Sequence, residues 1–283
     1  MIGSMFYHHP EILLQSLTDM NESYQKNTRS GSERIISVLQ RVYIRVFGIP
    51  EIGFQVRSMY FQQAVDKISA GAPPGSILDV GSGIGSYVFE LSKMFPLAAV
   101  DGWEIDRNKL TFAKKFADEL GIKNVSFSYG DVTKKPKVRA RYDFVLTVDV
   151  LEHVEDYRSA LRHMNQVIKP GGHLYIHTPA HHQRRFFRVF RSWEHEDHVR
   201  EGFDPEIFGR DLKKAGFSDI HIRHSFGPIG SLAWELNHLL LAKSFVLAGI
   251  FYPFLYLLSR CDALVPNRRG LCISVIARKR AKK

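Results

Sequence analysis

The sequence predicts an α/β fold built on a doubly wound, mostly parallel β-sheet. Between residues 76 and 179, short apolar runs alternate with helical patterns, which is typical of βαβ units in a parallel sheet. Crossovers between parallel strands are right-handed, so the connecting helices cover both faces of the sheet. The 283 residues are 45% hydrophobic and 24% charged, which excludes a disordered chain, a collagen-like chain and a multi-span membrane protein.

The predicted elements follow one another in a regular order along the chain. A helix after Ser32 ends before Gly48, and a second helix over 54–68 leads into a Gly/Pro turn at 71–75. The predicted strands are 77–80, 98–100, 125–128, 144–148, 173–177, 220–225 and 271–277. The predicted helices between them are 85–94, 107–120, 157–168 and 205–215.

An apolar block over 239–258 departs from this alternation. Lys243 and Pro253 interrupt it, so it falls short of the roughly 20 clean residues that a spanning helix needs. The strands on either side, 220–225 and 271–277, are predicted to belong to one sheet, which excludes a single span between them. A buried helical pair bent at Pro253, a cover over an apolar pocket and a helix in a membrane interface remain open.

These patterns predict a division of the chain into three parts. We expect residues 1–70 to form an N-terminal helical lid or cap and residues 71–283 to form the main domain. Within the main domain, residues 227–270 are predicted to be a helical insert before the last strand.

The net charge of +10 is concentrated in two clusters. They comprise Arg184, Arg185, Arg188 and Arg191, and Arg278, Lys279, Arg280, Lys282 and Lys283. Each cluster is either a solvated face or a contact for an anionic surface. The two cysteines exclude a disulfide scaffold, and the N-terminus has no signal-peptide pattern. We expect a cytoplasmic protein, either free or peripheral at the inner face of a membrane.

A glycine-rich turn follows the first predicted strand, in the run Ile77-Leu-Asp-Val-Gly-Ser-Gly-Ile-Gly85. Because glycine has no Cβ and tolerates positive φ, backbone N–H groups in such a turn can approach a ligand closely. Gly81, Gly83 and Gly85 are spaced G-x-G-x-G rather than the G-x-G-x-x-G of the dinucleotide fingerprint. This spacing disfavours a nicotinamide cofactor.

With Asp79 two positions before the first glycine, the run resembles motif I of class I S-adenosylmethionine-dependent methyltransferases. Further matching segments are Glu104 after the second strand, Gly130-Asp131, Asp149-Val-Leu-Glu-His-Val154 and Lys169-Pro-Gly-Gly172. The chain is similar to type 11-like members of that family, including quinone-biosynthesis enzymes. The resemblance implies a Rossmann-like fold with an antiparallel final strand, S-adenosylmethionine as cofactor, and methyl transfer to a small molecule.

The resemblance also implies a set of cofactor contacts. Glu104 would accept both ribose hydroxyls, with Asp101 and Asp106 as alternatives, and Asp131 would accept from the adenine amine. The full set is Asp79, Gly81, Ser82, Gly83, Gly85, Glu104, Ile105, Asp131, Val132 and Asp149. A solvated surface acid at Glu104 and a turn or N-cap role for Asp131 remain the structural alternatives.

A catalytic base is needed only if the methyl acceptor is a hydroxyl or an acidic carbon. We expect His198, His153 and Asp149 to be catalytic, because histidine titrates near neutrality and the run from His198 to Pro205 resembles the border of the family's acceptor pocket. The other candidate bases are Glu152, His177, His181, His182 and His195. At each position an inert surface histidine is the alternative.

Two further patterns narrow the chemistry. Asp149-x-x-Glu152-His153 is similar to a metal-binding cluster of quinone-biosynthesis O-methyltransferases, but the segment is also common in relatives without a metal, so we expect none. No Asn/Asp-Pro-Pro-Tyr/Phe tetrad follows the fourth strand, which disfavours methylation of base or glutamine amino groups. Neither cysteine lies in a Pro-Cys pair there, which disfavours covalent cytosine methylation.

The acceptor is predicted mainly from the apolar insert. Its large apolar side chains favour a hydrophobic or lipid-linked acceptor, with membrane-surface contact through 239–258 and the basic clusters. O- or C-methylation is favoured. An RNA methyltransferase and a cofactor-binding protein without transfer activity are the alternatives, although nucleic acid is disfavoured as a partner.

Overall fold

A seven-stranded sheet lies between two layers of helices. The computed structural model describes residues 51–281 except 138, 140 and 191–197, so the predicted helix after Ser32, Arg191, His195 and the last two lysines lie outside the described residues. The strands are β1 Ser76–Val80, β2 Ala99–Glu104, β3 Val125–Tyr129, β4 Tyr142–Val148, β5 Ile168–Pro179, β6 Phe217–Ser225 and β7 Cys272–Lys279. The α-helices are α1 Ile52–Ser69, α2 Ser86–Met94, α3 Arg107–Glu119, α4 Tyr157–Val167, α5 Pro205–Lys214, α6 Pro228–Lys243 and α7 Phe245–Leu264.

The strand order is β3-β2-β1-β4-β5-β7-β6. The pairs formed by β1, β2, β3, β4 and β5 with one another are parallel, whereas β7 runs antiparallel to both β5 and β6. The predicted fold class, including the antiparallel final strand, is confirmed. The chain reverses direction across the sheet between β1 and β4, and ligands of such sheets bind at the carboxyl ends of the strands beside that switch.

Helices bury both faces of the sheet. Neighbouring residues of a strand point to opposite faces, so they pack against different helices. Ile77 packs in the cluster that contains buried residues from the second half of α1 and from α2 and α3. Leu78, the next residue, packs with those of α4 and α5. Three of the helices, α3, α4 and α5, begin after an aspartate: the side chains of Asp106, Asp156 and Asp204 accept hydrogen bonds from first-turn N–H groups.

The insert between β6 and β7 is a hairpin of α6 and α7, and its bend differs from the predicted one. The break is at Ser244, which has extended φ and ψ and accepts from Leu247 N at the start of α7. Pro253 lies inside α7 instead. Of the three alternatives left open for this segment, a helical pair is present, but its two helices meet at Ser244 and not at Pro253.

The hairpin packs on α1 rather than standing apart from the domain. Ile52, Val56 and Tyr60 of α1 form one apolar cluster with residues of α6 and α7. In the described part of the chain, α7 is the one helix whose length and composition could cross a membrane, with a mean hydropathy of 1.3, and a third of that stretch is buried. Because β6 and β7 pair in one sheet, both ends of the hairpin return to the same side.

Candidate active site

The glycine turn after β1 is shaped by three positive φ angles. Gly81, Gly83 and Gly85 have φ of +78°, +57° and +95°. A Cβ on Gly81 would lie 2.4 Å from Val150 Cγ2, and one on Gly85 would lie 2.7 Å from the Phe127 ring. A Cβ on Gly83 would meet nothing within 4 Å. Two glycines are thus fixed by packing, whereas Gly83 faces open space.

Glu104, at the end of β2, joins the glycine turn to the next loop. Its Oε2 accepts from Gly83 N at 2.6 Å, and its Oε1 accepts from Ile105 N at 2.9 Å and Asp106 N at 2.8 Å. Glu104 is 6% exposed, so the alternative of a solvated surface acid does not hold. The carboxylate lies beside the turn, as a site for a sugar diol requires.

The two alternative acids near Glu104 have structural partners. Asp101 accepts from Tyr142 Oη at 2.7 Å and Ser126 Oγ at 2.6 Å inside the sheet. Asp106 caps α3. Of the three acids considered for the ribose, only Glu104 contacts the glycine turn.

Asp79 is a buried carboxyl without full hydrogen bonding. It is 2% exposed, and its Oδ2 has no hydrogen-bond partner among the described residues. Burial, reinforced by the negative charge of Glu104, raises the pKa of Asp79 to about 8. Ser82 Oγ is also buried without a partner. Such orphaned polar atoms beside a turn indicate a missing polar or cationic partner.

The loop after β3 holds the predicted adenine contacts. Asp131 Oδ1 accepts from Thr133 N at 2.9 Å and Thr133 Oγ1 at 2.6 Å, and these hydrogen bonds lower the pKa of Asp131. The turn role is therefore present in the structure. Val132 is buried, and Ile105 is 57% exposed at the end of the neighbouring strand. The adenine contact of Asp131 and the cofactor contacts of Val132 and Ile105 stay predictions.

Asp149, directly after β4, has an unusual backbone conformation, and its carboxylate contacts His177 and Arg57. Its φ is +52°. Its Oδ1 lies 2.9 Å from His177 Nδ1, and its Oδ2 lies 3.3 Å from Arg57 Nη1. Burial alone would raise its pKa, but the charges of His177 and Arg57 and the hydrogen bond from His177 lower it overall. The carboxylate is therefore ionised at neutral pH.

His177 connects Asp149 to a buried serine. The His177 side chain is fully buried, and its Nε2 lies 3.0 Å from Ser225 Oγ at the end of β6. A neutral imidazole can donate from Nδ1 to Asp149 and accept at Nε2 from Ser225. His177 is thus engaged on both nitrogens and is buried away from any acceptor.

The structure brings together Glu152, His153 and His198. Val199 N donates to the Glu152 backbone oxygen at 3.1 Å. This hydrogen bond places the adjacent His198 next to the segment after β4. The rings of His153 and His198 meet edge to face at 4.7 Å. Burial and the charge of Asp149 raise the pKa of Glu152 to about 8. The two predicted catalytic histidines are therefore neighbours.

The same three side chains could hold a metal ion. Their ligand atoms all lie within 4.8 Å of one another, and imidazole nitrogens and carboxylate oxygens are ligands that zinc accepts. His198 replaces Asp149 in this set, because Asp149 is engaged by Arg57 and His177.

Two predicted bases lie elsewhere, and two important residues were missed. His181 faces Glu201 at 3.7 Å, and its ring lies 3.8 Å from that of His182 on the surface. Arg57 and Ser225 were not predicted, although both lie next to the predicted site. Neither carries a local motif, since their partners Asp149 and His177 are distant in sequence.

The fold and the glycine turn define a Rossmann-like α/β protein with a ligand site at the β1/β4 switch. Comparison with known proteins makes this more specific. The family model described as a methyltransferase domain matches residues 74–216. The chain belongs to that family, and its type 11-like, class I S-adenosylmethionine-dependent resemblance is confirmed.

Relatives with similar sequences are named as methyltransferases that act on different acceptors. The chain is 28% identical over 234 residues to a demethylmenaquinone methyltransferase of Halalkalibacterium halodurans, covering 74% of this chain and 94% of that protein. It is 28% identical over 185 residues to phosphoethanolamine N-methyltransferase 1 of Arabidopsis thaliana, covering 63% of this chain and 35% of that protein. The chain thus spans about a third of the phosphoethanolamine relatives it matches.

Solved structures agree on the fold. A phosphoethanolamine N-methyltransferase 2 of Haemonchus contortus in complex with S-adenosyl-L-methionine superposes with a TM-score of 0.58 at 17% identity, covering 83% of this chain and 57% of that one. A [4+2]-cyclase superposes with a TM-score of 0.52 at 18% identity, covering 79% and 81%. The fold therefore hosts more than one reaction.

The cofactor of this family fits the residues present. When bound, S-adenosylmethionine supplies an activated methyl group on a cationic sulfonium. Asp79 offers an unpaired buried acceptor, Gly83 leaves room beside the turn, and Glu104 offers carboxylate oxygens for a diol.

Proposed function

We propose that this chain transfers the methyl group of S-adenosylmethionine to a small hydrophobic or lipid-linked acceptor, by O- or C-methylation. The observation that carries this proposal is the outer face of α7. Val246, Ile250, Phe254 and Leu257 follow one another at helical spacing and are 60–67% exposed. So much exposed apolar surface on one element is typical of a contact with apolar molecules or membranes.

The relatives support a hydrophobic acceptor over a small polar one. The demethylmenaquinone relative is matched over 94% of its length, whereas the phosphoethanolamine relatives are matched over about a third. A quinone-like acceptor is apolar and is methylated on a ring carbon or oxygen, in agreement with the apolar insert.

The residues after β4 provide the chemistry that such an acceptor needs. His153 and His198 are the proposed bases for a hydroxyl or an acidic carbon, and the ionised Asp149 places a negative charge beside them. With a raised pKa, Glu152 is mostly protonated at neutral pH, so it adds little charge there. The protein's main task is to hold the acceptor in line and exclude water.

The membrane contact is part of the same proposal. Asp262 is the only acidic residue between 236 and 283, and it is fully buried. Lys243 precedes α7, and Arg268 and Arg269 follow it, all exposed. An apolar helix face with basic flanks is typical of helices that lie at an anionic membrane surface.

The acceptor can be sought by mass spectrometry of metabolites and lipids from cells that lack this protein. We expect a species one methylene lighter than its normal form to accumulate. The wild-type gene should restore the normal species, whereas a Gly83→Leu variant should not. Unchanged apolar metabolites and lipids would contradict the proposed acceptor class.

A second candidate is a cofactor-binding protein without methyl transfer, which the likeness to a [4+2]-cyclase favours. Such a protein would bind S-adenosylmethionine yet release no S-adenosylhomocysteine when incubated with extracts that contain the acceptor. The RNA alternative is weakened by the placement of the basic clusters, which lie at different edges of the sheet.

A further inference from the structure

A cavity of about 410 Å³ opens at the carboxyl edge of the sheet, outside the glycine turn. The segment after β5, the start of α6 and the loop before β7 enclose it. Arg184, Arg185, Arg269 and His182 are among its lining residues. None of its described lining residues is acidic.

Arg185 is partly removed from water in this wall. It is half-buried, its guanidinium lies 4.9 Å above the Trp234 ring, and its Nη2 donates to Gln183 Oε1 at 2.5 Å. Burial lowers the pKa of Arg185. A partly desolvated cation of this kind gains more from an anionic ligand than a solvated one does.

The buried acids closest to the cavity already have partners. Glu235 accepts from Phe186 N at 3.1 Å and Phe187 N at 2.8 Å, so it holds the backbone of the arginine segment. Asp262 accepts from Gly230 N at 3.0 Å, which occupies the first turn of α6. Both acids are therefore engaged by backbone N–H groups, which leaves the arginines as the charged residues of the cavity wall.

The cavity adjoins the proposed acceptor region. Ala180 N donates to Leu271 O at 2.9 Å, which ties the end of β5 to the loop before β7. Ser225, the partner of His177, is two residues before Gly227 in the cavity wall. The cavity wall and the Asp149–His177–Ser225 chain of contacts thus meet at the end of β6.

We propose that the three arginines of this cavity bind a phosphate group carried by the methyl acceptor. Guanidinium forks match tetrahedral oxyanions and form charge-assisted pairs of hydrogen bonds. The identification of the bound molecule as the acceptor rests on the proposed function, whereas the phosphate site itself does not. The group belongs either to a lipid headgroup or to a free phosphate ester.

The test compares Arg184→Gln/Arg269→Gln with Arg268→Gln in the full chain. Arg184 and Arg269 are exposed side chains that line the cavity, and Arg268 is an exposed neighbour that does not line it. Calorimetric titration with inorganic phosphate should show saturable binding that weakens about tenfold or more in the double variant. Binding should be unchanged in Arg268→Gln.

A second arm uses phosphatidylglycerol vesicles against phosphatidylcholine vesicles to identify the source. Because α7 and its basic flanks are themselves proposed to contact anionic vesicles, Arg268→Gln serves in this arm as the variant that removes a flanking charge outside the cavity. A lipid headgroup predicts that the double variant alone loses phosphatidylglycerol binding, and a free ester predicts equal vesicle binding by the two variants. Equal losses of phosphate binding in the double variant and in Arg268→Gln, or no saturable phosphate binding by the wild type, would overturn the proposal. S-adenosylmethionine binding should be unchanged in all variants, so its absence would contradict the proposed function and not the phosphate site.

Discussion

Gly83 separates ligand binding from folding within the glycine turn. A side chain there meets no protein atom within 4 Å, so it would occupy the space assigned to the cofactor. We expect Gly83→Leu to weaken S-adenosylmethionine binding by about 10- to 100-fold, the usual cost of overpacking. The positive φ adds a stability loss of about 1 kcal/mol.

Gly121→Leu is the matched control for that substitution. Gly121 has φ of +64° and also faces open space, but it lies after α3, away from the turn. It should lose similar stability in thermal unfolding while calorimetry shows unchanged cofactor affinity. Normal affinity in Gly83→Leu would mean that the turn does not bind the cofactor.

Asp79 makes stability and cofactor affinity depend on pH in opposite directions. Its pKa is about 8 in the folded protein and about 4 in an unfolded chain. The folded state therefore retains a proton that the unfolded state releases, and this group lowers stability as pH rises from about 4 to 8. A cationic ligand favours the ionised form, so affinity should rise by up to about tenfold per pH unit below pH 8.

Asp79→Asn should remove both dependences. We expect this variant to be more stable than the wild type at pH 8, by about 1 kcal/mol or more, because it removes an uncompensated buried charge. Its affinity for S-adenosylmethionine should be lower and should change less with pH. Because Glu152 also has a pKa of about 8 and is unchanged in this variant, a flatter pH profile would assign the pH dependence to Asp79. A variant with the wild-type pH profile would contradict the role of Asp79.

At this scale the sequence predicts local contacts better than distant ones. The glycine turn and Glu104 follow from spacing within one βαβ unit. The link from Arg57 through Asp149 and His177 to Ser225 depends on which strands pair, and β5 and β6 are joined only through β7. Sequence spacing carries no information on that pairing.

Asp262 ties the α6–α7 hairpin to α1. Its Oδ2 accepts from Tyr60 Oη at 3.0 Å and its Oδ1 accepts from Gly230 N at 3.0 Å, all in the protein interior. Asp262→Ala would leave Gly230 N without its acceptor, and Tyr60 Oη would keep only the backbone oxygen of residue 262, at 3.2 Å. We expect urea unfolding to show a loss of about 2–3 kcal/mol.

The control for Asp262 is Asp66→Ala, an exposed acid on α1 that accepts from Gln62 Nε2. It should change stability by less than about 0.5 kcal/mol. A loss below about 1 kcal/mol for Asp262→Ala would show that the hairpin is held by apolar packing alone.

The break in the hairpin illustrates a limit of sequence rules for elements. A proline inside an apolar run predicts a bend, yet α7 continues through Pro253. Ser244 instead ends α6, with its N–H donating to Leu240 O, and caps α7 with its side chain. Packing of both helices on α1 outweighs the local preference of the proline.

The antiparallel course of β7 places the two basic clusters at different edges of the molecule. Cys272 pairs with Pro179 at the carboxyl end of β5, and Arg278 pairs with His173 toward its start. Arg278 Nε donates to Gly171 O, and Lys279 Nζ donates to Ile168 O. The fold class was predicted correctly. The sequence did not predict that the two basic clusters lie at different ends of the strands, because their placement depends on strand direction.

The membrane contact can be tested with exposed substitutions in place of a deletion, because the hairpin is part of the core. We expect the wild type to float with phosphatidylglycerol vesicles in a density gradient. The triple variant Ile250→Ser/Phe254→Ser/Leu257→Ser should remain unbound at the bottom of the gradient. Leu97→Ser, at a fully exposed leucine before β2, should float like the wild type. Equal behaviour of the triple variant and the wild type would contradict contact through α7.

The most direct test of the whole account is a crystal structure of the chain with S-adenosylhomocysteine. We predict the ligand at the carboxyl ends of β1 and β2, with its ribose hydroxyls on the Glu104 carboxylate and its amino group facing Asp79. Density for the ligand at another place, or none at saturating concentration, would contradict the assignment of this edge as the cofactor site.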